Sequence, residues 1–206
     1  MSYFPMMVKL DEKKVLIIGG GEEGLKKTRI LHEFGAEITL ISEDALKEAI
    51  ELASRYEERE FRDTDITDED YDLIVASTDD RELNKRISIL AKDKHIPVNI
   101  VDDEKLCSFI FPAIVKDKDV VCAVSSGGKS PYITQYIKAL LNKVLPRDIG
   151  EINDRRGEYR KQAKSEIADV TERRRFLRKK LDEELDKSGS SEDLSSGFTP
   201  RLHLLR

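Results

Sequence analysis

Residues 15–24 read VLIIGGGEEG, and their interpretation decides the fold. Val15, Leu16, Ile17 and Ile18 form an apolar run that ends in three glycines, and Leu25 and Leu31 then recur at helical spacing. The spacing predicts a buried strand, a tight turn and a helix, the opening of a βαβ unit. Gly35 serves as the C-terminal cap of that helix, and residues 37–42 (EITLIS), rich in β-branched side chains, make the second strand. Further along, the pattern gives a helix over 44–55, a strand over 73–77 (LIVAS), a helix over 82–92 and a strand over 97–101 (PVNIV). Strands alternating with helices imply a parallel sheet covered on both faces.

The pattern changes after residue 107. Residues 108–115 and 119–125 are β-rich and joined only by Lys116, Asp117 and Lys118, which predicts a hairpin. Ser130 and Pro131 supply an N-cap and an N1 proline; Ile133, Ile137, Leu140, Leu141 and Val144 mark one face of the helix that follows, and Pro146 stops it. From 151 onward the chain is helical and highly charged, with Thr171 as an N-cap and Leu177, Leu181 and Leu185 on one stripe. The expected class is α/β: a Rossmann-like parallel sheet over 1–107, a hairpin-plus-helix region over 108–146 and a helical domain over 147–187. The polar stretch 188–206 is expected to be disordered.

Composition narrows the function classes. With 206 residues there is room for one α/β domain and an appendage. Hydrophobic residues make up 39% and charged residues 37%, and no apolar run approaches the ~20 residues of a membrane span, so a membrane protein is not expected. The start, MSYFPMMVKL, has no basic segment followed by a long apolar one, which makes the cytoplasm the expected location. Cys107 and Cys122 form no CxxC pair and His32, His95 and His203 are scattered, so neither a disulfide framework nor a metal site is indicated. The net charge is −5; residues 151–206 hold 14 Lys/Arg against 12 Asp/Glu, leaving −7 on residues 1–150. Nothing in this balance suggests nucleic-acid binding.

Gly19, Gly20, Gly21, Glu22, Glu23 and Gly24 satisfy GxGxxG between a strand and a helix. The first glycine permits the turn, the second lets backbone N–H groups approach a pyrophosphate, and the third lets helix and strand pack closely. Positive charge at the helix start favours the anion; Glu22 and Glu23 are expected to point outward. Ser42, Glu43 and Asp44 end the second strand about twenty residues on, where an acid holds the adenosine ribose of NAD. Either acid suits that task, and Asp44 equally suits a helix N-cap. A carboxylate there also repels a 2′-phosphate by about 4 kcal/mol at ~4 Å and an effective dielectric near 20, which favours NAD over NADP. Thr78, Asp79 and Asn84 follow the third inner strand, where Thr78 can contact the nicotinamide ribose.

Residues 123–130, AVSSGGKS, nearly match an ATP-binding phosphate loop. In such a loop the lysine and the hydroxyl residue belong to the first helical turn, whereas here Pro131 takes N1, leaving Lys129 outside the helix and removing a donor. A plain Ser/Gly connection is the bland alternative.

GGGEEGLKK (19–27), ASTDD (76–80), NIVDD (99–103), SFIFPA (108–113), AVSSGGKSP (123–131) and ERRRF (172–176) occur in the order and spacing of one family. Over roughly residues 3–185 the chain resembles the precorrin-2 dehydrogenase / sirohydrochlorin ferrochelatase half of siroheme synthase and its stand-alone relatives. The resemblance implies NAD-dependent oxidation of precorrin-2 to sirohydrochlorin, in some members followed by Fe²⁺ insertion, in a homodimer with a middle dimerisation region. The methyltransferase portion of fused siroheme synthases has no counterpart in these 206 residues, so the chain is not expected to make precorrin-2 itself. Asp102 falls on the family's essential aspartate, and Ser126 on the serine that is phosphorylated in some members.

A carboxylate at the carboxyl end of a buried strand suits Asp102 as proton acceptor, although an acid at that position can also serve only a turn. Ser125, Ser126, Gly127 and Gly128 offer hydroxyls and N–H groups to an anion. Precorrin-2 carries eight carboxylates, for which Lys129, Arg155 and Arg156, with Arg160 beside them, are candidate partners; the competing reading of those arginines is a solvated helix face. Arg173, Arg174 and Arg175 read as structural. A non-enzymatic NAD-sensing module would account for the glycine turn and Glu43, but it leaves Asp102, SFIFPA and SSGGKSP without a task.

Overall fold

The computed structural model describes residues 3–187, which divide between Phe111 and Pro112 into two compact units. The tail expected to be disordered, 188–206, lies outside the described residues.

In the first unit, strands β1 (Lys14–Gly20), β2 (Glu37–Ala45), β3 (Arg55–Glu57), β4 (Leu73–Ala76) and β5 (Val98–Ile100) form a sheet in the order β3-β2-β1-β4-β5. All four pairings are parallel. Helices α1 (Glu22–Glu33), α2 (Lys47–Leu52), α3 (Thr64–Thr67) and α4 (Arg81–Asp93) cover the two faces. Alternate residues of β1 serve both: Leu16 and Ile18 pack with Ile66, Ile87 and Ala91, while Val15 and Ile17 pack with Leu25, Leu31 and Ala49. This explains why the strand is apolar without alternation. Each fully buried Leu or Ile side chain contributes roughly 1.5–3 kcal/mol relative to exposure. Because the chain runs outward through β2 and β3 and then returns to the other side of β1 as β4, the order reverses between β1 and β4. In such sheets the crevice at the carboxyl ends of those strands takes the ligand.

Several boundaries depart from the sequence expectations. β2 extends to Ala45, because Gly20 pairs with Ala45 and the Leu46 N–H donates to the Gly20 carbonyl at 2.9 Å. Hence α2 starts at Lys47 with Leu46 as its cap residue, and Asp44 is not the N-cap. The end of the expected 44–55 helix is claimed by β3, whose Arg55 pairs with Thr39 of β2.

The second unit opens with the hairpin of β6 (Ala113–Asp117) and β7 (Val120–Val124), antiparallel with Asp117 opposite Val120. Residues 108–112 do not join β6. Ser108 instead exchanges backbone bonds with Val98, its N–H donating to the Val98 carbonyl at 2.8 Å and its Oγ accepting from the Val98 N–H at 2.8 Å; the Phe109 carbonyl accepts from Asn99. Three helices follow: α5 (Pro131–Val144), α6 (Ile149–Glu166) and α7 (Val170–Lys187). Ser130 caps α5 as expected, its Oγ accepting from the Ile133 N–H. Asp117 fixes the start of α6 by accepting from the Gly150 N–H at 2.6 Å, and a Cβ on Gly150 would lie 2.8 Å from the Asp117 carbonyl oxygen. The cap of α7 is Asp169, which accepts from the Glu172 N–H at 2.7 Å, rather than Thr171. Arg173 closes the bend between α6 and α7 by donating to the carbonyls of Ile167 and Ala168.

Candidate functional site

The glycines of the turn have separate jobs. Gly19 has φ +97°, a backbone conformation that favours glycine, and a Cβ there would stand 2.6 Å from the Ser77 carbonyl oxygen. On Gly24 a Cβ would meet the Gly19 carbonyl oxygen at 2.1 Å, and on Gly20 the Ala45 Cβ at 2.3 Å. Only Gly21, the N-cap of α1, opens onto free space, with nothing within 4 Å of an added Cβ. Three positions are therefore closed by the fold, while the fourth keeps the helix start clear for an anion. This fits the diphosphate of a dinucleotide.

Two hydroxyls hold the turn. Ser42 Oγ accepts from the Gly20 N–H at 3.0 Å and donates to the Asp44 carbonyl at 2.6 Å, tying the end of β2 to the glycines. Ser77 Oγ lies 3.2 Å and 3.0 Å from the carbonyls of Ile18 and Gly19. The sequence places Ser77 at the end of a strand and within the ASTDD motif; its position beside the turn arises from β1–β4 pairing, which periodicity does not reveal. Thr78 and Asn84 bond reciprocally at 2.8 Å, hydroxyl to side-chain oxygen and amide to backbone carbonyl, while Asp80 caps α4.

A cleft of about 960 Å³ lies at this end of the sheet, lined by Gly19, residues 42–44, residues 59–61 and Thr78, among others. Glu43 and Asp44 are exposed. Arg59, Glu60 and Phe61 were not anticipated, and they come from the connection after the unforeseen β3. Arg59 is clamped: Nε donates to Glu57 at 2.7 Å, and its two terminal nitrogens donate to the Asp65 carboxylate at 2.8 and 2.7 Å. The clamp raises the guanidinium pKa above its usual range. Burial alone would raise the Asp65 carboxyl, but bonds from Arg59 and the Arg62 N–H outweigh it and hold that group below the ordinary carboxylate range. Glu22 is exposed, and Glu23 pairs with Lys26 at 2.6 Å.

Asp102 follows β5 at the same sheet edge, exposed and with φ +63°. Next to it, Asp103 accepts from the Lys105 N–H, and Cys107 Sγ bonds the Ile100 N–H and carbonyl at 3.1 and 3.2 Å. Burial pushes the Cys107 thiol up. Gly19–Gly24, Ser42–Asp44, Thr78 and Asp102 thus converge on the carboxyl edge of one sheet, since every strand is parallel.

The remaining expected residues belong to the second unit. Between β7 and α5, Ser126 Oγ accepts from the Ser130 N–H and donates to the Ser130 carbonyl, both at 3.0 Å, closing a loop in which Gly127 and Gly128 have φ +63° and +77°. Ser125 Oγ accepts from the Gly127 N–H, and Lys129 is exposed. On α6, Arg155 reaches Glu184 of α7 at 2.8 Å and stands near Asp148 and Glu151 at 3.8 and 3.9 Å. Arg156 buries Nη1 without a hydrogen-bond partner among the described residues. Among those residues no group of three or more His, Cys, Asp or Glu could hold a metal ion, and no helix is long and apolar enough to cross a membrane.

Comparison with known proteins adds four findings. Siroheme synthase of Tolumonas auensis is 37% identical over 179 residues, 87% of this chain and 38% of that protein. Siroheme synthase 2 of Aeromonas hydrophila subsp. hydrophila is 39% identical over 176 residues, 85% of this chain and 37% of that protein. The chain therefore spans little more than a third of the length of these curated relatives. Among solved structures, "SirC, precorrin-2 dehydrogenase" superposes with a TM-score of 0.70 at 21% identity, covering 91% of this chain and 99% of that one, which shows a shared fold. Residues 6–113, more than half of the chain, match the family described as "Putative NAD(P)-binding". The glycine turn has the construction such a family requires, and the chain belongs to this NAD(P)-binding family.

Proposed function

We propose that the chain oxidises precorrin-2 to sirohydrochlorin with NAD as coenzyme, in siroheme or related tetrapyrrole biosynthesis, as a cytoplasmic homodimer. The observation that carries this reading is the position of Asp102 on the sheet edge that also bears the open helix start at Gly21. Identity of 37–39% to siroheme synthases supports it. An exposed apolar stripe on α5, with Tyr132, Tyr136 and Leu140 at 87%, 64% and 41% exposure, supports the dimer.

When bound, the coenzyme supplies a hydride acceptor. The N–H groups at the start of α1 hold its diphosphate, and Glu43 and Asp44 hold the adenosine ribose while disfavouring a 2′-phosphate. Thr78 borders the other ribose. Oxidation removes a hydride and a proton from the macrocycle, and Asp102 accepts the proton. On the second unit, Ser125, Ser126, Gly127, Gly128, Lys129 and Arg156 are the candidate partners of substrate carboxylates, whereas Arg155 is held by Glu184. Ferrous ion would be a substrate rather than a resident metal, with Asp102 taking the pyrrole protons.

Incubating the protein with precorrin-2 and NAD⁺ tests the reading: one NADH should appear per sirohydrochlorin formed. Asp102→Asn should lower kcat about 10²-fold or more and leave NAD binding within about twofold. Coenzyme binding without turnover would instead select the sensing module, and full activity in Asp102→Asn would remove the proton from that residue. Adding Fe²⁺ to the completed oxidation reads metal insertion separately.

A further inference from the structure

Lys26 and Lys27 are neighbours on α1 with different surroundings. Lys26 is exposed and takes the Glu23 carboxylate at 2.6 Å, which removes the acid one turn behind Lys27. Lys27 is half-buried, its Nζ 4.8 Å from the centre of the Phe111 ring, and Phe111 in turn leans on Phe109 at 5.3 Å. Among the described residues no hydrogen bond or carboxylate contact reaches this ammonium. Burial lowers its pKa, and the charges of Glu23 and Asp102 act against that from a distance. Cys107, also nearby, is a thiol that burial keeps protonated, so it does not balance the charge.

A partly desolvated cation covered on one side by a ring is suited to take a carboxylate on its other side. Its position says which anion. Glu43 and Asp44 end β2, on one side of β1, whereas Asp102 follows β5 on the other side, beyond β4. Lys27 lies over Phe111, in the segment that follows β5, and it sits a turn beyond the helix start that suits the diphosphate.

We infer that Lys27 anchors a carboxylate of the polycarboxylate macrocycle, on the Rossmann unit beside the Phe111 ring. This rests on the proposed dehydrogenase function and adds a binding residue to it. The anchored carboxylate pins one edge of the ring system, so that the reacting edge is presented to Asp102, and it neutralises the ammonium that burial disfavours.

Lys27→Met keeps the length and packing against Phe111 and removes the charge; Lys27→Arg keeps the charge. Binding of sirohydrochlorin, followed by its fluorescence, should weaken about tenfold or more in Lys27→Met, the KM for precorrin-2 should rise in parallel, and the NAD dissociation constant should stay within about twofold. Lys27→Arg should restore most of the macrocycle affinity. Unchanged macrocycle binding in Lys27→Met overturns the inference, as does equal weakening of NAD, which would assign the ammonium to the coenzyme diphosphate. Failure of the arginine to rescue overturns it as well. Should the unsubstituted protein bind NAD but neither tetrapyrrole, the proposed function itself falls, a result distinct from a lysine that merely does not matter.

Discussion

A Cβ on Gly24 would lie 2.1 Å from the carbonyl oxygen of Gly19, so the last glycine of the turn rests directly on the first. Gly21, between them, meets nothing within 4 Å. The two positions should respond oppositely to the same substitution. Gly24→Ala is expected to destabilise the fold by about 1–3 kcal/mol or more, read as a lower Tm. Gly21→Ala should leave Tm nearly unchanged and weaken NAD at least tenfold in a calorimetric titration. Equal effects of the two on stability would contradict the division of labour between them.

Glu43 and Asp44 are the exposed acids at the end of β2. Arg59, which shares their cleft, spends its guanidinium on Glu57, Asp65 and the Glu60 carbonyl and is not spare for a 2′-phosphate. The double substitution Glu43→Gln, Asp44→Asn is expected to raise NADP affinity relative to NAD by at least tenfold, part of the ~4 kcal/mol that two close charges can cost. Competition fluorescence with the two coenzymes measures it; an unchanged ratio would relocate the discrimination.

Asp65 gives the fold an acid-sensitive contact. Its folded pKa lies below the unfolded value, near 3.9 for an ordinary aspartate, so its contribution is fully present above that value and is lost as pH falls through the lowered one. At neutral pH, Asp65→Asn should cost about 1–3 kcal/mol, the range for hydrogen bonds to charged groups. Denaturant unfolding should show the gap between the two proteins closing below about pH 4. A gap independent of pH would mean that the Arg59 clamp is not its source.

Ser126 closes its loop through both backbone groups of Ser130. Ser126→Ala should relax the loop modestly, by about 1 kcal/mol. Ser126→Asp places a negative charge where a substrate carboxylate is proposed to sit, and it should raise the precorrin-2 KM severalfold more than the alanine while sparing NAD. Identical kinetics for the two variants would separate this loop from the substrate.

Much of this architecture was legible in the residues because one physical signal dominated locally. Val15 to Ile18 could only be a doubly covered strand, Ser130 before Pro131 could only begin a helix, and the glycine spacing assigned a turn to Gly19 and close packing to Gly24, both of which the backbone shows. β3 was illegible: three residues at the sheet edge, two of them Arg55 and Glu57, carry no periodicity and pair only because β2 lies beside them. Residues 108–112 read as strand on propensity, yet Ser108 is taken by Val98 and the segment is used up alongside β5. Around the site, Ser77, Arg59 and Lys27 escaped notice for a common reason. Each derives its importance from a neighbour far away in sequence: Gly19 for Ser77, the cleft wall for Arg59, Phe111 for Lys27.

The backbone at Asp102 turns through φ +63°, a region where most L-residues pay roughly 1–2 kcal/mol and where aspartate and asparagine are among the few that settle readily. The bend after β5 therefore screens its occupants by handedness before any chemistry is asked of them. Valine or isoleucine there would disturb the path of the chain, and even alanine would mix conformational damage with loss of the acid, whereas the amide isostere leaves the curve intact and isolates the missing negative charge.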